Sequence, residues 1–259
     1  MDDPVLLDLA TALAERAAAE ILAIRERGFR IERKADDSVV TEADKAAERI
    51  ILNGLRGALA GCTVVAEEEA ASGVVFGARP EFWLVDPLDG TREFSGGGDD
   101  FTVNIGLVRD RAPVLGVVAV PGTGEIFGGI AGAGAWRQQN GLRSPIRARP
   151  CPPEGLTVVA SRRHGDPARL QEFVAGRTVA RLVNFGSSLK FCRIAEGEAD
   201  LYPRFGRTME WDTCAPHAVV VAAGGSVETL DGRPLLYGKP GWENPHFVCQ
   251  GVRSGAWSL

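Results

Sequence analysis

The sequence predicts a mixed α/β or α+β protein. Two observations lead there. Segments with apolar residues at helical spacing interleave with short apolar runs at strand spacing along the whole chain, and no repeat or low-complexity stretch interrupts them. Composition agrees: 45% hydrophobic and 24% charged residues over 259 positions are enough to build a sizeable core.

The first segment reads as a helix. Asp3 is placed to cap it, Pro4 suits its first turn, Leu6, Leu9, Ala10, Leu13, Ala17 and Ile24 recur at helical spacing, and Gly28 ends it. A polar stretch leads to a second helix from Thr41 to about Ala60, with Ile50, Ile51 and Leu55 on its apolar side. Strand-like runs follow at 63–66, 82–85 and 101–108, the last with Phe101, Val103, Ile105 and Leu107 on one face. The run 114–120 is apolar enough for a central strand, and the Gly-rich 124–136 suits a hairpin with bulges. Pro150, Pro152 and Pro153 mark a connection between an N-terminal half, 1–147, and a C-terminal half, 148–259, within one compact unit. The second half opens with a strand at 156–161, then helices near 167–175, 187–197 and 213–223 with short strands between them.

A net charge of −5 argues against a nucleic-acid-coating protein. No run approaches the length of a transmembrane helix, and the first residues lack the basic and apolar regions of a signal peptide. The five cysteines, Cys62, Cys151, Cys192, Cys214 and Cys249, form no C-x-x-C pair, as expected of reduced thiols in a cytoplasmic protein.

The chemistry concentrates in acidic residues. An apolar strand delivers Asp86 and Asp89 three positions apart, with Pro87 fixing the backbone and Gly90 permitting a turn. Glu67, Glu68 and Glu69 follow another apolar run, Asp212 precedes an Ala/Val-rich helix, and Asp44 lies at a helix start. Each has a structural alternative: an Asp-Gly turn, a solvated edge, an N-cap, and a capping box between Thr41 and Asp44. Together they suggest more, since each carboxylate pair at 4 Å costs roughly 4 kcal/mol at an effective dielectric of 20. Divalent cations relieve that repulsion, and hard oxygens select Mg²⁺, Mn²⁺ or Ca²⁺.

Asp86-Pro87-Leu88-Asp89-Gly90-Thr91, the upstream Glu67-Glu68 and Trp211-Asp212 resemble, in order and spacing, the inositol monophosphatase / fructose-1,6-bisphosphatase superfamily. Phe82 to Asp86, Phe101 to Ile105, Ser161-Arg162-x-His164, Gly186 to Cys192 and Leu201 to Gly206 resemble its 3'(2'),5'-bisphosphate nucleotidase branch of the bacterial CysQ type. The resemblance implies an αβαβα sandwich with the site between the halves. It implies a Mg²⁺-dependent phosphomonoesterase with two or three ions, inhibited by Li⁺. The expected reaction is removal of the 3'-phosphate of adenosine 3',5'-bisphosphate by metal-activated water. Glu67, Asp86, the Leu88 carbonyl, Asp89 and Asp212 would hold the metals. Asp44 and Thr91 would orient the attacking water, and Gly90 and Thr91 would offer N–H groups to the phosphate. Family members usually carry Gly or Ser where Ala66 stands, and Glu69 blurs the register, so Glu68 is the fallback for Glu67.

The second half bears on substrate choice. Arg204 stands near where inositol monophosphatases carry an acid, and Lys190 adds a second cation, which favours a bisphosphate. Ser161, His164, Gly186 and Ser187 are the other expected substrate contacts, His164 towards adenosine and Ser187 at a helix start. The alternatives are an inositol monophosphatase or broad sugar phosphatase with the same metal chemistry, and an inactive regulatory protein on the same fold. A monomer is expected, in the cytoplasm or peripheral at the inner face of the cell membrane.

Overall fold

In the computed structural model, residues 1–33, 39–74, 79–162 and 166–253 are described. Helix α1 (Asp3–Arg27) is followed by a two-stranded ribbon, β1 (Ile31–Arg33) and β2 (Val39–Thr41), and by α2 (Glu42–Ala58). Then come β3 (Val64–Ala66), α3 (Glu67–Ala71), β4 (Glu81–Asp89), α4 (Thr91–Ser95), β5 (Thr102–Arg109), β6 (Ala112–Val120), β7 (Glu125–Ile130), β8 (Gly134–Gln139) and β9 (Leu142–Ile146). The remainder comprises β10 (Leu156–Ser161), α5 (Pro167–Val174), β11 (Val179–Phe185), α6 (Leu189–Ala195), β12 (Leu201–Arg204), α7 (Glu210–Ala222), β13 (Ser226–Thr229) and β14 (Phe247–Gln250).

Strands β3 to β9 make one seven-stranded sheet in sequence order, with β6 at its centre, as its apolar run predicts. Only β3 and β4 pair in parallel; the later neighbours are antiparallel hairpins. A five-stranded sheet has the order β11-β10-β12-β14-β13. One face of the larger sheet packs on α1 and α2, where Leu13, Ile21, Ile51 and Leu55 meet Val103, Ile105 and Val117. Its other face meets α7, which with α6 lies against the smaller sheet through Val219, Phe191, Tyr202 and Phe247. Leu170, Phe173 and Val174 of α5 cover that sheet's outer face. The layers therefore run helix, sheet, helix, sheet, helix.

Two glycines bring α7 close. Gly106 and Gly116 are register partners on β5 and β6. A methyl on Gly116 would lie 2.2 Å from the Ala215 carbonyl oxygen, and one on Gly106 would lie 2.7 Å from the Ala215 nitrogen. The helix thus rests on bare backbone.

Several local expectations shift. Asp2, not Asp3, caps α1, accepting from the Val5 N–H at 3.3 Å. The triple glutamate opens the short helix α3 instead of forming an edge. Ser187 does not begin a helix: it sits at φ 44°, and α6 starts after Ser188. All five cysteines are free, and three of them are buried.

Candidate active site

The site is assembled where strands end and helices begin. Parallel pairing sets Ala66 opposite Val85, so Glu67 emerges beside Asp86. On β4 the register slips: Asp86 faces Asn104 but Asp89 faces Thr102, three residues against two. That one-residue bulge turns two carboxylates three positions apart to the same side of the strand. The bulge is braced by the Leu88 N–H, which donates to Asp86 Oδ1 at 3.0 Å. Gly90 follows at φ 90°, and a Cβ there would meet Asp100 O at 3.1 Å and Ser187 Cβ at 3.3 Å, so only glycine fits.

Asp212 is the third residue of α7 and accepts from the Met209 N–H at 2.8 Å; it is not the N-cap itself. Asp86, Asp89 and Asp212 all have carboxyl pKa values raised by burial first of all. Repulsion from Glu67, Asp89 and Asp212 adds to the burial at Asp86. At Asp89, Lys190, the Ser188 N–H and Arg204 oppose the rise. Hard carboxylate oxygens crowded in this way fit Mg²⁺, and among the described residues lining the site there is no thiolate or imidazole to favour zinc. Among the described residues no three acidic, histidine or cysteine side chains already stand together closely enough to hold a metal ion. Mg²⁺ is ordinarily held by one or two carboxylates, with water and phosphate oxygens completing its octahedron.

Asp44 lies across from these groups. Its Oδ2 accepts from the Thr41 N–H and hydroxyl, both at 2.7 Å, and Oδ1 stands 3.0 Å from the Thr91 hydroxyl. That hydroxyl is also 3.1 Å from the Leu88 carbonyl. Burial, only partly offset by the Thr41 bonds, raises the Asp44 pKa to about 6.

A cavity of about 520 Å³ opens over the carboxylates. Glu67, Asp86, Leu88, Asp89, Gly90, Thr91, Ser161, Gly186, Ser187, Lys190, Arg204 and Asp212 all line it. Asp44 lies behind Thr91, and His164 falls outside the described residues. Lys190 is neither on a solvated face nor freely presented. It is buried, donates to the Phe185 and Ser187 carbonyls, and burial lowers its pKa to about 8. Arg204 is also buried and donates to the Arg207 carbonyl at 2.8 Å.

Three functional neighbours escaped the sequence reading. Glu48 is buried one helical turn after Asp44, and its carboxylate accepts from the Glu68 and Glu69 N–H groups at 2.8 and 3.1 Å. Burial, reinforced by repulsion from Glu68 and Glu69, raises its pKa to about 7. Its i+4 spacing from Asp44 was the available signal. Arg207 puts an exposed guanidinium on the cavity wall, three residues after Arg204. Trp242 adds an indole to the same wall, with no sequence signal at all.

The geometry has counterparts among known proteins. A sequence profile described as the inositol monophosphatase family matches residues 2–250. The 3'(2'),5'-bisphosphate nucleotidase CysQ of Escherichia coli K12 is 42% identical over 234 residues, covering 90% of this chain and 94% of its own. The crystal structure of CysQ from Bacteroides thetaiotaomicron superposes with a TM-score of 0.81 at 33% identity, covering 96% of this chain and 98% of its own. An inositol monophosphatase from Anabaena superposes at 0.75 with 25% identity, over 96% of this chain and 91% of its own.

Proposed function

The chain belongs to the inositol monophosphatase family, a family of metal-dependent phosphatases, and on that footing we propose that it is a 3'(2'),5'-bisphosphate nucleotidase. It converts adenosine 3',5'-bisphosphate to AMP and phosphate with Mg²⁺ as its metal and Li⁺ as an inhibitor. The observation that carries the reading is the convergence of Glu67, Asp86, Asp89 and Asp212 with the Thr91 hydroxyl on one cavity. The choice of ester is supported by the CysQ relatives. Its free thiols suit the reducing cytoplasm.

Glu67, Asp86, the Leu88 carbonyl, Asp89 and Asp212 would hold the metal ions. Bound there, Mg²⁺ would neutralise the carboxylates, acidify water and stabilise charge on the phosphoryl oxygens. Thr91 Oγ takes the water proton while passing its own to Asp44 Oδ1, a relay that the 3.0 Å contact permits. A carboxyl near pKa 6 suits a base working around neutrality. The new oxygen–phosphorus bond forms as the ester bond opposite breaks, and the departing 3'-oxygen takes a proton from solvent. The Gly90 and Thr91 N–H groups meet the phosphate. Lys190 and Arg204 oppose the rise that burial imposes on the Asp89 pKa.

The test is phosphate release with Mg²⁺, with and without Li⁺, from adenosine 3',5'-bisphosphate, inositol 1-phosphate and fructose 1,6-bisphosphate, with Asp89→Asn as control. The expected outcome is a kcat/KM at least about tenfold higher for the nucleotide, some 1.4 kcal/mol of transition-state binding, and no turnover by the variant. Preference for inositol 1-phosphate would overturn the nucleotide assignment, and an active Asp89→Asn would overturn the metal assignment.

A further inference from the structure

Among the described residues, five non-glycine positions have positive φ. Asp110, Arg111 and Asn140 occupy the turns of the β5–β6 and β8–β9 hairpins, where such angles are routine. The other two, Ser187 and Trp242, both line the cavity. A bulky residue in the left-handed region is held there only if its surroundings over-determine it, and such positions cluster at functional sites.

Trp242 is so held. It closes the single 3₁₀ turn Pro240–Trp242 at φ 59°, directly after Gly241 at φ 77°. The turn is tied to the start of α7 from both sides. The fully buried Glu210 carboxylate accepts from the Gly238 and Lys239 N–H groups at 2.7 and 2.9 Å and pairs with the Lys239 ammonium at 2.6 Å. On the far side, the Asn244 N–H donates to the Thr208 carbonyl at 2.9 Å, and its side-chain amide donates to the Met209 carbonyl at 2.8 Å. Phe82 meets the indole edge-on at 5.7 Å. The same helix start therefore aims both Asp212 and Trp242 at one cavity.

Among the described residues, four aromatic ones line that cavity, Phe191, Tyr202, Trp211 and Trp242. The first three are buried, and only Trp242 is partly open to solvent. Glu243, the next residue, pairs with the exposed Arg207 at 3.4 Å, and Arg207 lines the same cavity. We propose that the Trp242 indole is the platform on which the substrate's nucleobase stacks, making it the residue that separates nucleotides from esters without a base. The inference rests on the nucleotidase reading above and adds a residue to it. An indole face accepts any flat base, so the preference is for an aromatic base as a class.

The experiment compares adenosine 3',5'-bisphosphate with ribose 3,5-bisphosphate, which keeps both phosphates and lacks the base, in wild type, Trp242→Phe and Trp242→Gly. Glycine tolerates the positive φ, so the second variant removes the ring without straining the turn. For the nucleotide, Trp242→Gly should lose about tenfold or more in kcat/KM, mainly through KM, with Trp242→Phe between it and wild type. Ribose bisphosphate turnover should stay within about twofold, and inhibition by AMP should weaken while inhibition by inorganic phosphate does not. Equal losses on both esters, or none on the nucleotide, would overturn the proposal while leaving the nucleotidase reading standing. Wild-type enzyme that shows no advantage for the ester with a base would remove both.

Discussion

Asp44 does two jobs with one carboxylate. One oxygen closes the capping box with Thr41, and the other receives the Thr91 hydroxyl. The cap fixes the rotamer from which the second oxygen meets Thr91, so the structural reading of this residue is compatible with the catalytic role proposed for it. The burial that serves the cap also raises its pKa from 3.8 to about 6. Between those values the folded protein keeps a proton that the unfolded chain has released. The resulting stability is full below pH 3.8 and is lost as pH rises through 6, by at most about 1.4 kcal/mol per pH unit. Urea denaturation in chelator from pH 4 to 7 should show wild type losing stability relative to Asp44→Asn as pH rises, and Mg²⁺ should flatten the difference. Parallel curves would contradict the burial account. Lys190 and Arg204 teach the complementary lesson. As letters they are two cations available to a phosphate; in the fold both line the cavity, Lys190 also donates to the Phe185 and Ser187 carbonyls and Arg204 to the Arg207 carbonyl, and both oppose the rise in the Asp89 pKa.

Helix α2 acts as a jig for two turns at once. Asp44 reaches Thr91 at the start of α4, Glu48 caps the glutamate turn, and Arg56 grips Glu69 through two bonds at 2.9 and 2.7 Å. Glu48→Ala should cost about 1–3 kcal/mol of stability, because two N–H groups lose a charged acceptor. It should also raise the Mg²⁺ concentration needed for half-maximal activity, since Glu67 begins that turn, while Glu48→Gln, which keeps an acceptor, should be milder. An unchanged Mg²⁺ requirement in the alanine variant would show the cap to be structural only. Elements like α2 were legible because their apolar spacing and capping residues are local. The bulge in β4 was not: Asp86-Pro87-Leu88-Asp89 signals a turn, and only pairing with β5 shows that both carboxylates face one way. Trp242 was invisible for the same reason, its position depending on Glu210 and Asn244, which approach through tertiary contacts.

At the scale of the molecule, the cavity lies between residues of both sheets, so its shape depends on how the two are locked. A buried ionic lock does this. Glu125 at the start of β7 takes Arg193 of α6 at 2.9 and 3.1 Å and Arg137 of β8 at 2.6 Å, and Arg193 also pairs with Glu196. Burial would raise the Glu125 pKa, yet Arg193, Thr123 and Arg137 together hold it below the usual range. Arg193→Met should therefore destabilise, by less than the roughly 3–5 kcal/mol of a buried charge left wholly unpaired because Arg137 stays beside Glu125, and adding Glu125→Gln should recover part of the loss. Denaturant melts of the three variants give the coupling, and strictly additive costs would dissolve the lock. The mixed α/β class was legible in the periodicities, and the layer order came with the family resemblance. The lock was not legible, because its partners lie about 70 residues apart in the chain. The glycine seat of α7 has its own consequence. Asp86 and Asp89 belong to the sheet and Asp212 to the helix, so the gap across the carboxylate cluster is gauged at Gly106 and Gly116 chiefly by backbone touching backbone, with the Cys214 sulfur beside it. The usual traffic among Val, Ile and Leu, which reshapes other cores, cannot reset it. The wall built from Arg207 and Trp242 is all side chain and can be recut. On the metal and base-stacking proposals, the molecule keeps a fixed calibration for the reaction and an adjustable one for the choice of ester.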